Sequence, residues 1–77
     1  MDRIGQRIPL RHYLKEWREK KNLTQQQLAD RLDTSKDQVS RFERDKRKMT
    51  TEAATGFAAA LGIDPLEIFH HPDTPGS

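Results

Sequence analysis

A helical pattern starts at Leu10: the apolar Leu10, Tyr13, Leu14 and Trp17, then the stem of Lys21, recur at spacings of three and four. This period predicts a first helix starting at Leu10. Asn22 closes it, since asparagine tolerates the left-handed backbone at a helix end. The preceding Met1 to Pro9 is polar, broken by Gly5 and Pro9, and reads as a flexible N-terminal arm.

The second helix is punctuated more sharply. Thr24 followed by Gln27 has the spacing of a capping box, and Leu23 can close over Leu28 as a hydrophobic staple. Leu28, Ala29 and Leu32 fall on one face. Ser35 and Gln38 repeat the capping-box spacing and open a third helix, about 35–44, with Val39 and Phe42 turned inward. Only Asp33 and Thr34 separate these helices. So short a connection forces a steep crossing, which is the geometry of a helix-turn-helix unit.

Asp45 to Met49 forms a basic connector. Thr50 caps a fourth helix that ends at Leu61, with Gly62 as its stop and Ala53, Phe57, Ala58 and Leu61 as its apolar stripe. Gly56 inside it costs roughly 1 kcal/mol relative to alanine, so it marks a close approach of another helix. Asp64, Pro65 and Glu67 give a cap, a first-position proline and a third-position acid, opening a short fifth helix with Ile63 and Ile68 as its staple. Pro72 blocks its continuation. The expected organisation is an all-α fold of five short helices: arm 1–9, domain 10–70, disordered tail 71–77.

Length and charge narrow the picture. A chain of 77 residues buries only about 60% of its unfolded surface, so it holds one small core. There is no cysteine, which excludes disulfides and thiolate metal sites. The longest uncharged stretch, Ala53 to Ile63, is too short to span a bilayer, and no segment has the layout of a signal peptide. A cytoplasmic protein with no membrane partner is expected. The net charge of +2 hides an asymmetry: all 14 Lys and Arg lie between Arg3 and Lys48, while Met49 to Ser77 carries acids only. Such a basic front and acidic back suits one face meeting a polyanion.

The runs Leu23-Thr24-Gln25-Gln26-Gln27-Leu28-Ala29 and Val39-Ser40-Arg41-Phe42-Glu43-Arg44, with Lys46-Arg47, the Leu61-Gly62-Ile63 corner and Leu66-Glu67-Ile68-Phe69, resemble the phage lambda repressor and Cro (XRE-type) family of helix-turn-helix regulators. Relatives usually have glycine where this chain has Asp33 and Asp45. Aspartate is among the few other residues that tolerate a positive φ, so Asp33 is a mild departure, whereas Asp45 leaves the connector's conformation open. Ala29 sits where the second and third helices cross, and Val39 fills the gap beneath.

The resemblance implies a sequence-specific regulator of transcription, a repressor, that reads double-stranded DNA. Its third helix enters the major groove and the second crosses the backbone. Helical spacing leaves Lys36, Asp37, Ser40 and Arg41 outward, and the family's base-reading positions map onto Lys36, Asp37 and Arg41. Gln25 is expected at a phosphate, and Arg44, Lys46, Arg47 and Lys48 along the backbone. Relatives pair an arginine of the first helix with a glutamate of the third, which maps onto Arg18 and Glu43. The last helix commonly forms a two-fold interface, so Leu66, Ile68 and Phe69 are expected to join a homodimer on a pseudo-palindromic site, with Leu66 and Phe69 packing in part on the chain's own core.

Other signals are weaker. Glu67, His70 and His71 lack the spacing of a metal site, because adjacent histidines on a regular helix cannot face one ion. His12 stands alone and reads as a surface residue. No nucleophile, base and orienting acid come together, and no phosphate-binding glycine loop appears, so neither an enzyme nor a cofactor is expected. The rival reading is an antitoxin or interaction module on the same fold, with a toxin or co-regulator as its protein partner.

Overall fold

Two helices joined by a left-handed turn form the centre of the molecule. The computed structural model describes residues 10–46 and 48–73. The arm 1–9, Arg47 and residues 74–77 lie outside them. The helices are α1 (Leu14–Lys20), α2 (Gln25–Leu32), α3 (Lys36–Arg44) and α4 (Thr51–Leu61), followed by a 3-10 helix, Pro65–Phe69. The expected fifth α-helix is thus a five-residue 3-10 turn. Among the described residues there is no strand, and no helix is long and apolar enough to cross a membrane.

The α2–α3 unit follows its caps. Thr24 Oγ1 accepts from the Gln27 backbone N–H and Gln27 Oε1 accepts from the Thr24 N–H, completing the reciprocal box. Asp33 adopts φ 55°, the left-handed conformation that the short turn demands, and Thr34 N–H returns to the Ala29 carbonyl. At α3 only half of the second box forms. Ser35 Oγ accepts from Gln38 N–H, while the Gln38 side chain stays exposed.

α1 begins four residues later than its periodicity predicts, and Leu10 is 54% exposed. The backbone ahead of it is tied to distant segments instead. His12 N–H donates to the Lys46 carbonyl at 2.8 Å and Tyr13 N–H to the Ile68 carbonyl at 2.7 Å, so both donors serve distant segments. Asn22 does close the helix, at φ 58°.

The core gathers Leu14, Trp17, Leu28, Ala29, Val39, Phe57, Leu61 and Ile68, with Met49 of the connector as a fully buried plug. Each of the larger aliphatic and phenyl side chains among them contributes roughly 1.5–3 kcal/mol by leaving water. Phe42 and Phe57 meet edge to face, with ring centroids 5.2 Å apart. On α4 the buried stripe runs through Ala54, not the expected Ala53, which is half-buried. Gly56 is indeed a point of close approach: a Cβ there would lie 3.3 Å from Leu32 Cδ2. The 3-10 helix is pinned to α1 by the Trp17 indole N–H, which donates to both the Glu67 and His70 carbonyls at 2.9 Å.

Candidate nucleic-acid interface

Val39 and Glu43 turn one side of α3 into the protein. Residues on the opposite side must therefore point to solvent. Lys36, Asp37 and Arg41 are exposed and Ser40 is half-buried at the edge of that face. Ser35 caps the N-terminal end, which carries the positive pole of the helix dipole.

The tilt of α3 is fixed by a single carboxylate. Arg18 Nε donates to Glu43 Oε2 at 2.5 Å and Nη2 donates to Oε1 at 3.1 Å. Gln25 Nε2 adds a third donor to Oε1 at 2.9 Å, and Arg18 Nη1 reaches the Leu23 carbonyl. α1, the start of α2 and α3 thus converge on Glu43, whose side chain is 4% exposed. The Gln25 amide expected at a phosphate spends one of its N–H groups here and keeps the other.

Beside this network a cavity of about 320 Å³ opens to solvent. Its walls are Lys15 and Arg18 of α1, Gln25 of α2, Ser40, Glu43 and Arg44 of α3, and Lys46 of the connector. Arg44 and Lys48 are exposed and Lys46 is half-buried. Asp45 has φ −101°, ψ 94°, so the connector makes no use of the freedom that glycine would bring.

Comparison with known proteins now bears on this arrangement. The Helix-turn-helix family model matches residues 14–68, which takes in all four α-helices and the 3-10 helix up to Ile68. The chain belongs to the helix-turn-helix family. It is a DNA-binding transcription regulator of the lambda repressor and Cro type. The restriction-modification controller protein C.AhdI from Aeromonas hydrophila is 33% identical, with a TM-score of 0.67 over 74% of this chain and 86% of that one. A hypothetical transcription factor, NHTF from Neisseria, is 25% identical, with a TM-score of 0.68 over 78% of this chain and 69% of that one. No curated protein matches in sequence.

Sequence reasoning missed His12 in this helix-turn-helix protein. It is fully buried, not a surface residue. Nδ1 accepts from the Leu14 N–H at 3.3 Å, and Nε2 lies 2.9 Å from the Asp45 carbonyl, to which it donates as the protonated nitrogen of the neutral ring. His12 therefore caps α1 and clasps the connector. Burial pushes the imidazole below its ordinary 6.5, and the Lys46 ammonium adds to this, against opposing hydrogen bonds to the Asp45 and Phe42 carbonyls and the Asp45 charge.

The unfolded chain thus binds this proton first as pH falls. Stability is fully present above pH 6.5 and declines below it, towards the depressed folded value. The expected slope from this group reaches at most about 1.4 kcal/mol per pH unit. Thermal melts should show it in the native protein, and a His12→Gln variant, less stable throughout, should lack it. A native profile no steeper than the variant's would exclude the assignment.

The remaining candidates scatter. Glu67 spends Oε1 on the Asp64 N–H as a cap, His70 is exposed, and the His71 ring packs edge-on against Tyr13. Asp73 lies 3.7 Å from Lys20, so residues 71 and 73, expected in the tail, meet Tyr13 just before α1 and Lys20 at its end. Ile68 is fully buried, which removes it from any surface offered to a second copy. A 3-10 turn has three residues per repeat, and it directs Ile68 inward while Leu66 is 72% exposed and Phe69 half-buried.

Proposed function

We propose that this regulator binds a pseudo-palindromic duplex as a homodimer and acts as a repressor in the cytoplasm, laying α3 in the major groove. The observation that carries this reading is the division of α3: Val39 and Glu43 are buried, whereas Lys36, Asp37 and Arg41 face solvent together. Lys36 and Arg41 suit the O6 and N7 acceptors of guanine, and Asp37 suits the amino group of cytosine. Gln25, Arg44, Lys46, Arg47 and Lys48 contact phosphates on either side and set the register. The printed descriptions of the two neighbours, a restriction-modification controller and a transcription factor, support a role in regulation.

The test is a duplex selected from a random pool and titrated at several salt concentrations. Log affinity is expected to fall with log salt by about 0.9 for each phosphate contacted. Salt-independent association, or no sequence preference after selection, would sink the reading.

Leu66 marks the surface for the second copy, with the exposed part of Phe69 beside it. Leu66→Glu should leave the fold intact, because the side chain is outside the core, and should lower the melting temperature only by what dimerisation contributes. It should shift the protein from dimer to monomer in sedimentation and abolish cooperative occupation of two half-sites about 34 Å apart. A variant that remains dimeric would move the interface elsewhere.

A further inference from the structure

The cavity between α1 and α3 has a composition that the reading helix does not explain. Four cations (Lys15, Arg18, Arg44 and Lys46) surround it against one carboxylate, Glu43, a net charge of +3. Glu43 neutralises none of the other three. Both its oxygens are engaged by Arg18, and one also by Gln25. Among the described residues, Lys15, Arg44 and Lys46 form no ion pair. Like charges gathered around an open concavity repel one another, and an anion entering it removes that repulsion.

The polar atoms at the walls suit a phosphate. The Arg44 guanidinium presents a planar fork that matches two phosphate oxygens, and the lysines of α1 and of the connector supply point charges. Gln25 retains an amide N–H and Ser40 has a hydroxyl, both among the lining groups. Ser40 adjoins Arg41, so the cavity flanks the face of α3 that meets the groove.

We propose that this cavity seats one backbone phosphate of the bound duplex and that Lys15 is a direct ligand of it, which brings α1 into the interface. The proposal rests on the DNA-binding reading above and adds a residue outside the helix-turn-helix unit.

The experiment compares the native protein with Lys15→Gln, Lys15→Arg and, as a control for net charge, Lys21→Gln at the exposed far end of α1. Lys15→Gln should lose about three- to tenfold in affinity for all sequences alike and lower the salt slope by about 0.9. Lys15→Arg should restore the slope, and Lys21→Gln should leave it unchanged. Replacing backbone phosphates one at a time by neutral methylphosphonate should then reveal one position that weakens the native protein but not Lys15→Gln.

A native slope in Lys15→Gln, with no phosphate coupled to residue 15, would overturn the proposal and leave the DNA-binding reading intact. A native protein that binds no duplex would overturn both. Inorganic phosphate should displace the duplex no better than chloride at matched ionic strength. Saturable binding of inorganic phosphate that leaves the affinity for the duplex unchanged would assign the cavity to a free anion and refute its role as a DNA contact.

Discussion

Glu43→Ala is expected to destabilise the protein by about 3–5 kcal/mol, since it leaves the largely buried Arg18 guanidinium without its carboxylate. Small domains hold only about 0.05–0.15 kcal/mol per residue, so this loss removes much of the total. In a chain of this size each kcal/mol lowers the melting temperature by about 4–8 °C. Glu43→Gln keeps acceptor and shape and should fall between the two. Thermal and urea unfolding measure both. A loss under about 1 kcal/mol for Glu43→Ala would mean that the pair is solvated and does not hold α3 in place.

Arg41→Ala carries the largest expected effect on recognition. Its side chain is exposed on the face opposite Val39, so truncation should leave stability within about 0.5 kcal/mol of the native value. Preference at one base pair should fall by about 1–3 kcal/mol, the discrimination of one bidentate contact. Lys46→Ala should instead weaken every sequence alike, with a shallower salt slope. The measurement is affinity for the selected duplex and its single-base variants. An Arg41→Ala protein with unaltered preferences would take Arg41 out of base reading.

The parts of this architecture legible in the sequence are those set by local chemistry. Thr24, Ser35, Thr50 and Asp64 each cap the helix assigned to them, and Asp33 and Gly62 adopt the left-handed conformation at the two expected ends. Arg18 and Glu43, assigned by resemblance, are indeed paired. What escaped detection depends on distant partners. Nothing in the order of residues indicates that the N–H groups of His12 and Tyr13, ahead of α1, bond Lys46 and Ile68. Met49 follows a run of charge, yet it is fully buried in the core cluster, beside residues distant in sequence. The same limit hid Lys15, whose neighbours at the cavity come from two other helices and the connector.

The sole tryptophan sits at the seam between the first and last elements, and this gives the protein an intrinsic optical gauge. Its emission reads the docking of the closing segment, whereas far-ultraviolet dichroism reads the helices as a whole. Should the closing segment peel away first, fluorescence will redden while ellipticity holds, and the two unfolding curves will separate. Coincident curves would mean that the seam and the DNA-facing helices are lost as one cooperative unit.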